Sequence, residues 1–441
     1  MTKLSGFPEL LPAERHVELH VLDHLRRVFE LHGFANVEMR AVETTDTLLR
    51  KGEIDNEVYI LRRMQAADED ASTGLGLHYD LTVPFARYVL ENAGRLEFPF
   101  RRYQIQKVWR GERPQHGRFR EFTQADIDVI AKDELPFHFD VEIAQVMAEA
   151  LGGLPVPHLT LQISNRKLLE GFYLGLGITG PTDGPTAVMQ VVDKLDKLPP
   201  DAVASQLTDL GLTDEQARAC LALAEIATPD TSFVEKVREL GITHPQLDDG
   251  LDELAAVVGS VRPADGVTVM ADLRIARGLD YYTGTVFETR MAGYEQLGSI
   301  CSGGRYDRLA SDGRTTFPGV GISLGVSRLV IPLLADGLTS DRSVPSTVLV
   351  ALVDEESRDV SAEVATRLRA RGIPTEVAAS AQKFGKQIRY AERRGIPFVW
   401  FPESHEHQVK DIRSGDQVAA DPDAWNPPTE DLMPQIKEPH P

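Results

Sequence analysis

The chain has 441 residues, 42% of them hydrophobic and 26% charged, with a formal net charge of −20. That length allows two or three domains with real cores in a soluble globular protein, and the negative charge excludes one that coats nucleic acid nonspecifically, though not RNA binding through a local basic face. Cys220 and Cys301 build neither a disulfide framework nor a zinc site, MTKLSGFPELLP has no signal-peptide core, and no apolar run reaches membrane length, which points to the cytoplasm.

Residues 14–32 are predicted to form an amphipathic helix, with Val17, Val21, Leu25, Val28 and Phe29 on one face and Gly33 as its stop. His16, His20 and His24 share another face, but with no carboxylate or cysteine to complete a shell they read as a solvated edge. A strand NVEMRAV follows over 36–42, and QAADEDASTGLGL reads as a polar hairpin loop. HYDLTVPFARYVLENAG is a strand end turning into a helix. Asp80, Leu81 and Thr82 lie at that turn, where Asp80 and Thr82 can either cap the helix or meet a ligand's amino group.

The next stretch, FRRYQIQKVWRGERPQHGRFREFTQADIDVI over 100–130, holds Arg101, Arg102, Lys107, Arg110, Arg113, Arg118 and Arg120. Both flanks of GERPQHG alternate as strands do, which describes an antiparallel hairpin with a long, cationic, mobile tip. Guanidinium groups at fixed spacing suit bidentate capture of phosphate. The plainer alternative, a solvated edge hairpin, leaves unexplained why the arginines share a surface with Gln124, Asp126 and Asp128.

A helix over 136–151 and the strand HLTLQISN come next, then a mostly helical stretch, 166–258, with no chemical constellation. Strands return from Thr268, where Arg277 and Gly278 lead into Tyr281 and Tyr282. GSICSGGRYDRL is glycine-rich but lacks the lysine of a P-loop and the setting of a dinucleotide fingerprint. Residues 339–346 read as a linker. Residues 347–421 follow a βαβαβ order closed by a hairpin at Ser414–Gly415, which implies a small parallel sheet. Arg367, Arg369, Arg371, Lys383, Lys386, Arg389, Arg393 and Arg394 gather on its two helices; such charges usually mean a solvated face. The proline-rich tail, 422–441, is expected to be disordered.

VWRGERPQHGRFREFTQ resembles motif 2 of class II aminoacyl-tRNA synthetases, in the form found among histidyl-tRNA synthetases. RIARGLDYYTGTVFE and SICSGGRYDRL resemble that family's two histidine signatures. HYDLTVPFARY fits the same family, and GVGISLGVSRL looks like motif 3. Together the matches span roughly residues 5 to 415. The chain departs from the family at three places: Arg40 stands at the motif 1 proline, Ser327 replaces the acid before Arg328, and Asp128 stands where glutamate is commoner.

The resemblance implies an α+β catalytic domain with a mainly antiparallel sheet, the class II synthetase fold, over 1–165 and 259–338. A helical insertion at 166–258 would help hold the tRNA acceptor arm, and 347–421 would be an α/β anticodon-binding domain. The implied reaction activates L-histidine with ATP and passes it to the 3' end of tRNA(His). Arg110 and Arg277 would grip the α-phosphate from opposite sides, at the meeting of the ATP and histidine sites. Arg113 and Arg118 would engage the outer phosphates, with Mg²⁺ arriving on ATP and no protein metal ligand assigned. Phe119 and Arg328 would sandwich the adenine, and Glu112 would read its amino group. Asp80, Leu81, Thr82 and Gln124 would surround the histidine ammonium, Asp128 and Tyr282 would meet the imidazole, and Tyr281 would line the pocket. Lys386, Arg389 and Arg393 become candidate tRNA contacts. A homodimer through motif 1 is expected, with no membrane or DNA partner. The alternative is an inactive paralogue, a regulatory subunit of ATP phosphoribosyltransferase or a histidine sensor; such proteins typically lose parts of these motifs or the C-terminal domain.

Overall fold

The computed structural model describes residues 4–49, 57–64, 74–180, 184–276, 281–402 and 407–437. The chain divides into two compact units, Met1–Pro8 with Val21–Pro332, and Glu9–His20 with Leu333–Pro441. Helices up to the end of the first unit are α1 (Pro12–Leu31), α2 (Thr45–Leu48), α3 (Thr82–Asn92), α4 (His138–Gly152), α5 (Arg166–Gly175), α6 (Pro185–Val192), α7 (Pro200–Asp209), α8 (Asp214–Ala224), α9 (Phe233–Glu239), α10 (Pro245–Ser260) and α11 (Val326–Ala335). Its strands are β1 (Ala35–Asn36), β2 (Val42–Thr44), β3 (Leu75–Leu77), β4 (Phe100–Trp109), β5 (Glu121–Ile130), β6 (Leu159–Asn165), β7 (Ala227–Thr228), β8 (Val267–Asp272), β9 (Thr285–Met291), β10 (Cys301–Ser311) and β11 (Thr316–Gly325).

Nine strands make one sheet in the order β1-β4-β5-β11-β10-β9-β6-β8-β7. Only β1–β4 and β6–β8 are parallel, so the sheet is mainly antiparallel, as the class II resemblance implied. The hairpin at 100–130 is present as β4 and β5, paired without a break from Phe100↔Ile130 to Trp109↔Glu121.

The strand expected over 36–42 is interrupted. Val37 N still donates to Tyr103 O, but Gln106 Nε2 takes the Met39 carbonyl and His78 N that of Ala41. With those acceptors spent there is no ladder, and pairing resumes only at β2 against β3. Residues 65–73 of the expected hairpin loop lie outside the described residues. On α1, Val21, Leu25 and Phe29 are buried, and Gly33 ends the helix at φ +77°. His24 Nε2 lies 3.0 Å from the Ala150 carbonyl, and no group of three His, Cys, Asp or Glu among the described residues could hold a metal ion.

The stretch expected as a helical insertion runs as α5 to α10, interrupted by β7. Asn165 starts α5 by accepting from Lys167 N and Leu168 N, and Thr213 with Gln216 forms a capping box on α8. The first and last of these helices, α5 and α10, pack on each other, and α10 packs on β6, β8 and α4. Two glycines set their crossing. A Cβ on Gly250 would sit 2.2 Å from Leu168 N, and one on Gly171 2.2 Å from Leu247 N, so backbone meets backbone.

The second unit contains β12 (Thr339–Ser340), β13 (Val348–Val350), α12 (Arg358–Ala370), β14 (Thr375–Val377), α13 (Phe384–Arg394), β15 (Phe398–Phe401), β16 (Gln408–Asp411), β17 (Gln417–Ala419) and β18 (Ile436–Lys437). Its main sheet runs β14-β13-β15-β16-β17; β13 is parallel to both neighbours and the last two pairs are antiparallel. Two expectations are corrected here. The tail is ordered through Lys437: Trp425 packs edge-on against Trp400 at 5.6 Å, Arg371 donates to the Pro422 and Trp425 carbonyls, and β18 pairs with β12. Nor is 339–346 a loose linker, because Arg342 is buried and donates to the Asp431 carbonyl at 2.7 Å.

The α5–α10 crossing predicts that Gly250→Ala lowers stability by about 1–3 kcal/mol, since backbone cannot yield as a flexible side chain can. Gly94→Ala, where a Cβ meets nothing within 4 Å, is the control. Denaturant midpoints of the two variants against the parent provide the check.

Candidate active site

Alternation along β4 and β5 sends one set of side chains to each face of the sheet. On one face of β5 stand Gln124, Asp126 and Asp128. Across the ladder Gln106, Gln104 and Arg102 oppose them on β4, and Gly325, Ser323 and Gly321 on β11. Arg102 is fully buried and pairs with Asp128 at 2.6 Å. Asp128 Oδ1 also accepts from the Tyr306 hydroxyl at 2.7 Å. Ser323 Oγ donates to Asp126 Oδ1 at 2.5 Å and accepts from Gln124 Nε2 at 2.8 Å. Burial pushes the Asp126 carboxyl up to about 7; the Asp128 charge adds to the rise, while Arg102 and the Ser323 bond oppose it.

Two cavities open over this floor. The larger, about 560 Å³, is lined by Arg110, Glu112, Arg118, Phe119, Gln124 and Arg328, with Ser299–Ser302 along one wall. The smaller, about 250 Å³, is lined by Thr82, Asp126, Asp128, Tyr281, Tyr282 and Tyr306. Ser302 and Ser323 line both, so the chambers meet there. Glycine makes the smaller one possible. A Cβ on Gly321 would lie 2.1 Å from Asp128 Oδ1, and one on Gly304 2.8 Å from the Tyr282 ring. This accounts for Gly304 of SGGRYD and for Gly319 and Gly321 of GVGISLG, whose added Cβ atoms would meet Tyr282, Tyr306 and Asp128. They keep the strands β10 and β11 bare where acid and tyrosine must fit.

The larger cavity therefore gathers Arg110, Glu112, Arg118, Phe119, Gln124 and Arg328. Arg110 Nε donates to the Tyr79 carbonyl at 3.0 Å and its guanidinium lies 5.2 Å from the Phe122 ring centre. Glu112 is salt-bridged to Arg118 at 3.1 Å. Arg328 is fixed by donating to Gly117 O and Ser299 O, at 3.0 and 2.8 Å. Arg113 is exposed and lines neither chamber. Gln124 Oε1 is buried and has no hydrogen-bond partner among the described residues, an acceptor suited to an incoming N–H.

The smaller chamber gathers Thr82, Asp128, Tyr281 and Tyr282, whose two rings lie 4.2 Å apart. Burial raises the Tyr282 hydroxyl well above its ordinary range, leaving it a neutral donor. Leu81 is buried beside it, and Asp80 Oδ1 accepts from Val83 N at 3.1 Å, so the helix-capping reading of Asp80 is realised. Arg277, with 278–280, lies outside the described residues. Sequence reasoning took Arg102 as one of the hairpin's phosphate-facing cations and gave no pocket role to Asp126, Tyr306 or Ser323. For Asp126 the signal was available, since it sits between Gln124 and Asp128 on one strand face; the partners from β10 and β11 carried no local signal.

In the second unit the basic cluster splits. Arg367 pairs with Asp421 and Asp423, Arg369 donates to the Thr375 carbonyl, and Arg371 holds the tail, so α12 spends its arginines on structure. Lys386, Arg389 and Arg393 of α13 line a groove of about 810 Å³ with Tyr390 and Gln382, and among the described residues none of the three is paired with a carboxylate.

The histidyl-tRNA synthetase family model matches residues 6–329, and that of an anticodon binding domain matches residues 347–422. The histidine–tRNA ligase of Micrococcus luteus is 58% identical, covering 98% of each chain, and that of Cutibacterium acnes is also 58% identical at the same coverage. The crystal structure of histidyl-tRNA synthetase from Nostoc sp. PCC 7120 superposes with a TM-score of 0.84 at 34% identity, covering 95% of this chain and 96% of that one. Two chambers joined at Ser302 and Ser323, above a floor laid by the motif 2 hairpin, thus sit in a chain that belongs to the histidyl-tRNA synthetase family.

Proposed function

We infer that this chain is a histidine–tRNA ligase, which activates L-histidine with ATP and transfers it to the 3' end of tRNA(His). The observation that carries the reading is the junction of an arginine-lined chamber with a small acid- and tyrosine-lined one. A phosphate-bearing substrate suits the first, and a compact polar amino acid the second. Nothing favours the regulatory alternative.

In this reading the histidine carboxylate lies at the seam and attacks the α-phosphorus of ATP in line. It is already ionised, so no general base is needed, and catalysis rests on positioning and charge neutralisation. Arg110 and Arg277 grip the α-phosphate, and Arg118, with Arg113 from the exposed loop, meets the outer phosphates. Mg²⁺ enters as part of the ATP substrate. Phe119 and Arg328 hold the adenine between them and Glu112 receives its amino group. Gln124, Asp80 and Thr82 receive the ammonium, with Leu81 closing the pocket; Asp128, Tyr281 and Tyr282 enclose the imidazole. A site built to satisfy polar ring atoms rejects apolar analogues by a factor on the order of 10⁴, which removes the need for editing. Lys386, Arg389 and Arg393 bind the tRNA, and two copies pair through the motif 1 region.

Pyrophosphate exchange measured across the amino acids tests the activity, with exchange expected for histidine alone. Arg277→Ala and Arg110→Ala should each fold yet lose roughly a hundredfold or more in that exchange; rates within about threefold of the parent would remove the phosphate role. For RNA, replacing Lys386, Arg389 and Arg393 together by alanine should leave exchange intact and raise the KM for tRNA. The salt slope of tRNA binding should fall by about one for each phosphate no longer neutralised. An unchanged KM would make α13 a solvated face. Sedimentation at micromolar concentration checks the pairing, with a dimer expected.

A further inference from the structure

Ser327, the second residue of α11, stands where an acid is commoner in the family, and it is buried. Its Oγ accepts from Thr123 N at 2.9 Å. That bond has a place in the sheet. The β5–β11 ladder ends at Gln124↔Gly325, after which the chain turns into α11. Thr123 is the next residue outward on β5, so its N–H meets a partner strand that has already stopped. Left alone it would be a buried donor with no acceptor, a costly state for a backbone group. The serine hydroxyl replaces the missing carbonyl and adds one rung beyond the junction. On the opposite flank Gly325 N donates to the carbonyl of Ile300, the residue before β10, at 2.9 Å. The start of α11 is therefore tied down on both sides.

Arg328 follows at once. Its guanidinium reaches Gly117 O in the motif 2 loop and Ser299 O on the facing wall, and all three residues line the larger chamber. A Cβ on Gly325 would lie 3.4 Å from Arg328 Cβ, so the arginine leaves the helix close against the junction. A long side chain spanning two fixed carbonyls can do so only if its own backbone is set correctly. The first turn of α11 decides that, and the Thr123–Ser327 rung holds the turn. We propose that Ser327 is a positioning residue for ATP, whose hydroxyl fixes the start of α11 so that Arg328 meets the adenine. This rests on the histidine–tRNA ligase reading and deepens it. Serine does the task without an anion. A carboxylate at 327 could accept the same N–H, but it would bring negative charge to the edge of a chamber that receives a polyphosphate.

The test uses the full chain in pyrophosphate exchange, with ATP and L-histidine varied in turn. Ser327→Ala removes the rung and little else. It should raise the KM for ATP by about threefold to tenfold, as expected for one hydrogen bond lost from the alignment of a binding group. The KM for histidine and kcat should stay at the parent's values, which is the signature of lost uniform binding at the nucleotide alone. Ser327→Cys has nearly the same size but offers only a weak acceptor, and should raise the KM for ATP in the same selective way. An unchanged KM for ATP, with stability alone reduced, makes Ser327 a purely structural rung and overturns the proposal. An equal rise in both KM values overturns it as well, because it marks a general loosening of the site. Should the alanine variant not fold, the cysteine variant decides by the same two criteria. Failure of the parent to exchange with histidine at all would instead remove the underlying reading.

Discussion

The buried Arg102–Asp128 pair is the constraint on which the rest of the site depends. Two charges taken from water cost more than their mutual attraction returns unless further hydrogen bonds complete them, and truncating either would strand the other. Tyr306 supplies one such bond, and Gln104, within 3.5 Å of Arg102, stands beside it. The pair forms only if β4 and β5 keep a register that sets Arg102 opposite Asp128. A slip of one residue would turn every polar floor residue to the opposite face and bring the apolar set, Ala125, Ile127 and Val129, into the chambers. The ion pair thus reads as a registry device: costly in stability, and decisive about which face becomes the site.

The floor would be useless if the strands beside it in the sheet, β11 and β10, carried bulky side chains. Small residues on β10 and β11 leave volume for the Tyr282 and Tyr306 rings and for Asp128, and each of those glycines is hemmed by the group it makes room for. The same economy appears at the α5–α10 crossing, where absent side chains let backbones touch. In both places function follows from atoms left out. Large apolar residues that would give the core more cohesion would close the chambers.

Much of this was legible in the sequence. The motif 2 hairpin announces itself by alternation, and a mainly antiparallel sheet follows once the class II resemblance is granted. What could not be read was partnership across distance. Charge pattern treated Arg102 as one more cation on a phosphate-binding hairpin, although it lies beneath the site rather than in it. The arginines of α12 and the basic residues of α13 looked alike, yet the first set is consumed by Asp421, Asp423 and the tail carbonyls. The proline-rich composition of the tail suggested disorder, but Trp425 had a place to pack beside Trp400 and Phe398. In each case the deciding partner lies 25 residues or more away in sequence, where local propensity has no reach.

The makeup of the second unit has a consequence for synthesis. It draws on residues 9–20 as well as 333–441, and its β12 is completed only by β18, close to residue 437. During synthesis residues 9–20 emerge well before 333–437 and must stay uncommitted until those follow. Such pairing of early with late segments has high contact order, and folds slowly for that reason. Assembly of this unit therefore waits for the segment around β18, while the motif 2 hairpin, closed locally, can form long before.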